Sequence, residues 1–213
     1  MLKFVSKNAL LLGGAAAVCV LLLASVNQIT APEIARQGEL EKLRLLQEVL
    51  PAGAAGPELL ADCIVITEPE VFAQAHAKAY RWRQNGELKA YVTETTAPDG
   101  YSGNIELLAA IAPDGTVLAV RTLAHRETPG LGDKIETRKG DWIHSFAQQQ
   151  VQGADDKRFA VKKDGGQFDQ FAGATITPRA VVAAVKRTAI YLVAHPELAE
   201  LPSACQTTAS KDS

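Results

Sequence analysis

The chain has 213 residues, with 22 Lys and Arg against 24 Asp and Glu and a formal net charge of −2. That length suits one domain of ordinary size with additional segments. A near-neutral balance without blocks of like charge excludes a basic nucleic-acid arm and an acidic tail, so nucleic acid is not expected as a partner.

Residues 1–8 carry Lys3 and Lys7, and residues 9–26 carry no charge. At about 1.5 Å rise per residue this run is roughly 27 Å long as a helix, near the thickness of a bilayer core. The flanking lysines put the N-terminus in the cytoplasm and all that follows on the other side. A small-x-small cleavage site is hard to place, Pro32 blocks cleavage after Ala31, and Cys19 lacks the leucine that a lipoprotein signal carries three residues earlier. The run therefore reads as a retained transmembrane anchor, in which Gly13 and Gly14 could pack against a neighbouring helix.

Residues 27–57 read as a stalk helix and linker. Thr30 with Glu33 forms a capping box with Pro32 in the first turn, Ile34, Leu40, Leu43, Leu46 and Leu50 recur at helical spacing, and Pro51 ends the helix. Residues 51–58, PAGAAGPE, are a linker by composition. A domain is expected over 58–200 and a tail over 201–213.

Strand patterns fill the first half of the domain. Residues 63–67 are a short apolar run. Residues 77–84 and 87–96 alternate about Asn85-Gly86, the strongest short hairpin signal. Residues 104–112 and 116–125 form a second hairpin about Pro113-Asp114-Gly115. Residues 125–136 are a loop by their Pro and Gly content, 139–150 a helix or partial helix, 158–163 a short strand turned by Asp164-Gly165-Gly166, and 177–195 an amphipathic helix. The expected fold is α+β: one N-terminal transmembrane helix, then an exported domain with a mainly antiparallel sheet flanked by helices.

Cys63 and Cys205 fall in the exported part, where a disulfide can persist, and one bridge between them would tie the tail to the first strand; two unrelated thiols are the alternative. Cys19 is a small apolar residue of the membrane run. No C-x-x-C occurs, and His76, His125, His144 and His195 lack metal spacing, so no metal is expected. Trp82 and Trp142 read as core residues.

The stretch DQFAGATITPRA, residues 169–180, holds the candidate site. Thr177 before Pro178 reads as a helix cap with proline at the first helical position. Thr175 follows Gly173 and Ala174 just before that helix, where free N–H groups and the helix dipole favour an anion; spacing alone makes this only a weak phosphate motif.

DQFAGAT resembles the flavinylation signature Asp-x-x-(Ser/Thr)-Gly-Ala-Thr of FMN-binding domains, which carry FMN through a phosphoester to the last threonine, Thr175 in this chain. Residues 100–136, GYSGNIELLAAIAPDGTVLAVRTLAHRETPGLGDKIE, resemble the same family in the same order, most specifically in the Glu-Thr-Pro-Gly-Leu-Gly loop. Over nearly its whole length the chain resembles the G subunits of Rnf (Rsx) electron-transport complexes, with the related C subunits of sodium-translocating NADH:quinone reductases next nearest. The signature departs at Ala172, where Ser or Thr is usual.

The resemblance implies a bacterial inner-membrane, single-pass flavoprotein subunit with its main domain on the periplasmic side. It would carry electrons through covalent FMN among other membrane subunits of an ion-translocating complex and would need a separate flavin transferase. A stand-alone catalyst is not expected, and a scaffold that keeps the fold without flavin is the alternative. Beside Thr175, the resemblance implies flavin contacts from Glu127, Thr128, Gly130, Leu131, Gly173, Ala174 and Thr177. Asp169 serves transferase recognition or merely a turn. Tyr101 either stacks on the ring or packs in the core. Lys162 and Lys163 either face the cofactor or form a solvated pair.

Overall fold

A computed structural model describes residues 2–51, 54 and 56–204. The chain divides into two units, Met1–Leu43 and Arg44–Ser213.

Helix α1 spans Leu2–Val49 and carries Pro32 inside it. The sequence reading started a new helix at Thr30, but the capping box does not form: Thr30 Oγ1 donates back to the Val26 carbonyl at 2.9 Å. The helix therefore continues through a position where proline costs about 3 kcal/mol. Among the described residues, one stretch is long and apolar enough to cross a membrane, Leu12–Ile34, with a mean hydropathy of 1.9. It overlaps the run read over 9–26, and no charge stands between Lys7 and Glu33.

The second unit contains the end of α1, then α2 (Pro57–Ala61), β1 (Cys63–Ile66), α3 (Pro69–Phe72), β2 (Ala77–Gln84), β3 (Glu87–Gly100), β4 (Gly103–Ile111), β5 (Thr116–Ala124), β6 (Gln149–Gln150) and α4 (Ile176–Ala194). The linker read over 51–58 falls partly outside the described residues. The six strands form one sheet in sequence order, every neighbouring pair antiparallel, as expected of a mainly antiparallel α+β domain. Asn85 and Gly86 have φ of +55° and +82°, as a type I′ hairpin turn requires. In the second hairpin Asp114 Oδ1 accepts the Thr116 N–H at 2.9 Å and Gly115 takes φ +84°. Strand β3 runs past the predicted end at Thr96, and an irregular register between Ala97 and Gly100 accommodates Pro98.

Both faces of the sheet are covered. Alternation sends Leu107, Ala109 and Ile111 of β4 to a core shared with Val181, Val185, Ala189 and Leu192 of α4. It sends Leu108 and Ala110 to a second core with Leu45, Leu46, Val49 and Leu50 from the end of α1. Two-sided burial explains why β4 reads as a nearly unbroken apolar run. Thr188 of α4 donates to Thr95 of β3 at 2.8 Å, pinning the helix to the sheet.

Residues 125–175 are mostly irregular. The helix expected over 139–150 is a 3-10 turn, Trp142–Phe146, followed by β6. The open edge of β5 takes these residues instead: Gln148 N–H donates to Val117 O at 2.8 Å and Val151 N–H to Gly115 O at 3.1 Å. The strand expected over 158–163 reduces to a parallel bridge, Val161 to Phe168, and a 3-10 turn, Lys162–Asp164. Aromatic packing replaces regular structure here. Phe146 stacks on Phe168 at 4.5 Å, and Trp142, which is only partly buried, sits edge-on to Phe171 at 5.1 Å. Trp82 likewise is partly buried, against the second core.

Cys63 is disulfide-bonded and Cys19 is free; Cys205 lies outside the described residues. The chain just before it is fastened to β1, with Ala204 N–H donating to Cys63 O at 2.7 Å and Ser203 Oγ accepting the Cys63 N–H at 3.2 Å.

Candidate functional site

Three segments meet at one end of the sheet. The first is the tip of the β3–β4 hairpin, Gly100 to Gly103, which presents Tyr101. The second is the loop after β5. There Thr128-Pro129-Gly130-Leu131 forms a turn closed by Leu131 N–H on Thr128 O at 3.1 Å, with Gly130 at φ +77°. Proline second and glycine third is the pattern of a type II turn. The third is Phe171-Ala172-Gly173-Ala174, closed by Ala174 N–H on Phe171 O at 3.2 Å, with Gly173 at φ +80°. The last two turns touch: a Cβ added to Gly173 would lie 3.4 Å from Leu131 Cδ2.

Helix α4 starts directly after the second turn, at Ile176, with Thr175 as its capping residue. Thr175 is exposed, its hydroxyl makes no capping bond, and the first turn of α4 carries no acid. The positive end of the helix dipole is therefore not neutralised from within the helix. The cap assigned to Thr177 from sequence is displaced. Thr177 lies inside the helix, fully buried, and its hydroxyl donates to Glu127 Oε2. The other carboxylate oxygen of Glu127, a residue only 5 % exposed, accepts the Ser102 N–H at 3.0 Å.

Further out, Glu127 N–H donates to His125 Nδ1 at 3.0 Å, which leaves His125 Nε2 facing Glu136 Oε1 at 2.9 Å. Asp133 is buried, and the Gly130 N–H holds its carboxyl below the usual range, with Lys139 assisting. Burial raises Glu136, but bonds from Arg138 and His125 outweigh it and the net shift is downward.

These segments enclose a cavity of about 410 Å³ lined by Tyr101, Glu127, Thr128, Leu131, Gly132, Gly173, Ala174, Thr175, Ile176 and Thr177. Its size falls in the range of small-molecule sites, roughly 300–1,000 Å³. Of the residues singled out from sequence, Glu127, Thr128, Leu131, Gly173, Ala174, Thr175 and Thr177 come together on this wall. Gly130 shapes the turn and does not line it. Asp169 stands aside, exposed and paired with Lys162 at 2.6 Å, while its carbonyl accepts the Trp142 indole N–H at 2.8 Å. Lys163 is exposed and does not line the cavity. Tyr101 is 67 % exposed and lines the cavity, so it is not a core residue. Ala172 is exposed in its turn, so the missing hydroxyl leaves the fold untouched.

Sequence reasoning did not pick out Ser102 and Ile176, while Gly132, like Gly130, was expected to permit close backbone approach. Gly132 closes the Glu-Thr-Pro-Gly-Leu-Gly loop, but the crowding that demands a glycine there is visible only once Glu127 and Thr177 stand beside it. The cavity fits a flavin mononucleotide by its chemistry. Tyr101, Leu131 and Ile176 offer apolar surface, Thr128 a hydroxyl, and the uncapped head of α4 a place for phosphate.

Residues 100–189 match the family model described as FMN-binding domain, and residues 1–49 match that described as RnfG N-terminal region. The G subunit of the ion-translocating oxidoreductase complex of Shewanella loihica is 50 % identical over 208 residues, covering 97 % of this chain and 98 % of the relative. The G subunits of the same complex from Escherichia coli K12 and Yersinia pestis are each 48 % identical over 204 residues, covering 95 % of this chain and 98 % of each relative. With similarity of this extent at both ends and through the site, the chain belongs to the family of G subunits of ion-translocating oxidoreductase complexes.

Proposed function

We propose that this chain is a membrane-anchored electron carrier that holds FMN covalently on Thr175, within a multi-subunit, ion-translocating redox complex of the bacterial inner membrane. Its N-terminus lies in the cytoplasm, because Lys3 and Lys7 precede the apolar run, and its domain lies on the periplasmic side. Electrons arrive from and leave to other membrane subunits; the chain is not a stand-alone catalyst. The tail is tied back by a Cys63–Cys205 bridge, a reading supported by the Ser203 hydroxyl and the Ala204 N–H, both bonded to the Cys63 backbone.

The observation that carries the proposal is the Thr175 hydroxyl, exposed at the head of α4, uncommitted to capping and on the cavity wall. Bound FMN supplies the one- and two-electron chemistry that no side chain offers. The chain's own residues hold and orient. The first-turn N–H groups of α4 would hold the phosphate, Leu131 and Tyr101 would offer apolar surface to the ring, and Thr128 would offer it a hydroxyl. A separate flavin transferase makes the linkage from FAD. The Thr175 Oγ–P bond forms, the pyrophosphate P–O bond breaks, AMP leaves, and the hydroxyl proton is lost. Covalent attachment suits a compartment in which free FMN would be lost by dissociation.

Co-expression of the full chain with a flavin transferase, followed by a denaturing gel read for flavin fluorescence, tests this. Fluorescence that disappears in Thr175→Ala is the expected result; fluorescence retained in that variant overturns the attachment site. A parent chain without fluorescence would favour the second reading, an anchored scaffold without flavin, for which Ala172 is the specific support.

A further inference from the structure

At the centre of the site is a buried carboxylate that, among the described residues, has no ion-pair partner. Glu127 is 5 % exposed, and hydrogen bonds to two other segments hold it: the Ser102 N–H on Oε1 at 3.0 Å and the Thr177 hydroxyl on Oε2. The surrounding backbone is cleared for it. A Cβ on Gly132 would stand 2.8 Å from Glu127 Oε2, 2.9 Å from Glu127 Cβ and 2.9 Å from Thr177 Oγ1. A Cβ on Gly100 would stand 3.0 Å from Glu127 Oε1. Gly100 is needed first by its own hairpin, where a Cβ would meet Gly103 O at 2.2 Å, so the clearance made for this side chain is that of Gly132.

We propose that Glu127 is the positioning residue of the flavin site. Its carboxylate fastens the β3–β4 hairpin tip, the loop over residues 127–132 and the head of α4 into one frame. That frame fixes Tyr101, Leu131 and Thr175 relative to one another before any cofactor arrives. Each carboxylate oxygen serves a different segment, so the side chain needs both its length and its fork. Aspartate is one methylene short of spanning the two partners. Glutamine keeps the frame: its Oε1 accepts the Ser102 N–H while its Nε2 donates to the Thr177 oxygen. The inference rests on the electron-carrier reading for what is bound, but the frame belongs to the protein alone.

The test uses the full chain in detergent micelles, co-expressed with a flavin transferase. The variants are Glu127→Ala, Glu127→Asp, Glu127→Gln and Gly132→Ala. Thr188→Ala serves as a control that removes a buried hydrogen bond of α4 outside the site. Amide exchange is followed over residues 100–104 and 128–132, with the visible circular dichroism of the attached flavin as second readout. Loss of a buried hydrogen bond that joins two segments is expected to speed local exchange about tenfold. Glu127→Ala, Glu127→Asp and Gly132→Ala should show this and lose most of the flavin dichroism. Glu127→Gln should match the parent, and Thr188→Ala should lower the melting temperature without either change. Parent-like exchange and dichroism in Glu127→Ala overturn the proposal, as does the same local loss in Thr188→Ala. A parent chain that takes up no flavin removes the electron-carrier reading, while the exchange comparison still decides the frame.

Discussion

Replacing Arg81 by alanine should loosen the C-terminal segment and cost the domain about 3 kcal/mol, the low end for removing one partner of a buried ion pair, because Asp62 is itself partly exposed. Arg81 is 5 % exposed. Its Nε donates to Asp62 Oδ1 at 2.8 Å and its Nη2 also bonds that oxygen. Its Nη1 reaches the carbonyls of Leu198, Ala199 and Leu201 at 3.1, 3.0 and 2.6 Å. Alanine leaves three carbonyls without this donor. Only the Leu198 bond is wholly buried, and water can reach the other two, so their losses do not add in full. Asp62 keeps Arg83 at 3.1 Å and the Ala199 carbonyl keeps a bond from Arg83 Nη2, which holds the figure at the low end. At this chain length each kcal/mol lowers the melting temperature by roughly 2–4 °C, so a fall of about 6–12 °C is expected. Thermal and urea unfolding of the full chain in micelles, followed by circular dichroism, measures it, with amide exchange over residues 196–204 as the local readout. A loss below about 1 kcal/mol with unchanged exchange there would refute the clamp.

Thr188→Val should cost about 1–3 kcal/mol by leaving the buried Thr95 hydroxyl unpaired, whereas Thr188→Val with Thr95→Val should be nearly neutral; a double-mutant cycle in urea decides. Acid should weaken the fold in a defined window. The carboxyls of Asp133, Glu136 and Asp156 lie below their usual values of 3.8, 4.5 and 3.8, Asp156 chiefly through its bond from Arg158. A depressed folded value stabilises above the unfolded value and is lost as pH falls through the folded one. Stability should therefore hold above about pH 5 and decline below about pH 4, and Asp133→Asn should flatten part of that decline in unfolding curves taken across the range. Ala172→Thr restores the usual hydroxyl at an exposed turn position. Unfolding should be unchanged and flavin transfer to Thr175 faster in a time course of protein-bound fluorescence; an unchanged rate would show that the hydroxyl is not read.

Much of the fold was legible because local chemistry and tertiary structure agree there. Asn85-Gly86 needs positive φ at both positions and obtains it, and the nearly unbroken apolar run of β4 matches its two buried faces. Helix α4 was legible from its amphipathic pattern. The capping box at Thr30 misled because a long apolar helix carries on through a single proline. The residues over 139–150 and 158–163 misled because their partners are distant: the free edge of β5 claims Gln149 and Gln150, and the Phe146–Phe168 stack claims the rest.

The site divides in the same way. The family motif, the anchor, the glycines of the two turns and Thr175 before a helix could all be read along the chain, because each is a statement about neighbouring residues. Three further points needed the folded molecule: that Thr175 and not Thr177 heads the helix, that Tyr101 faces the cavity, and that Glu127 joins three segments. Glu127 and Thr177 are 50 residues apart in the chain, and no local pattern records which carboxylate a buried hydroxyl will meet once the sheet brings them together.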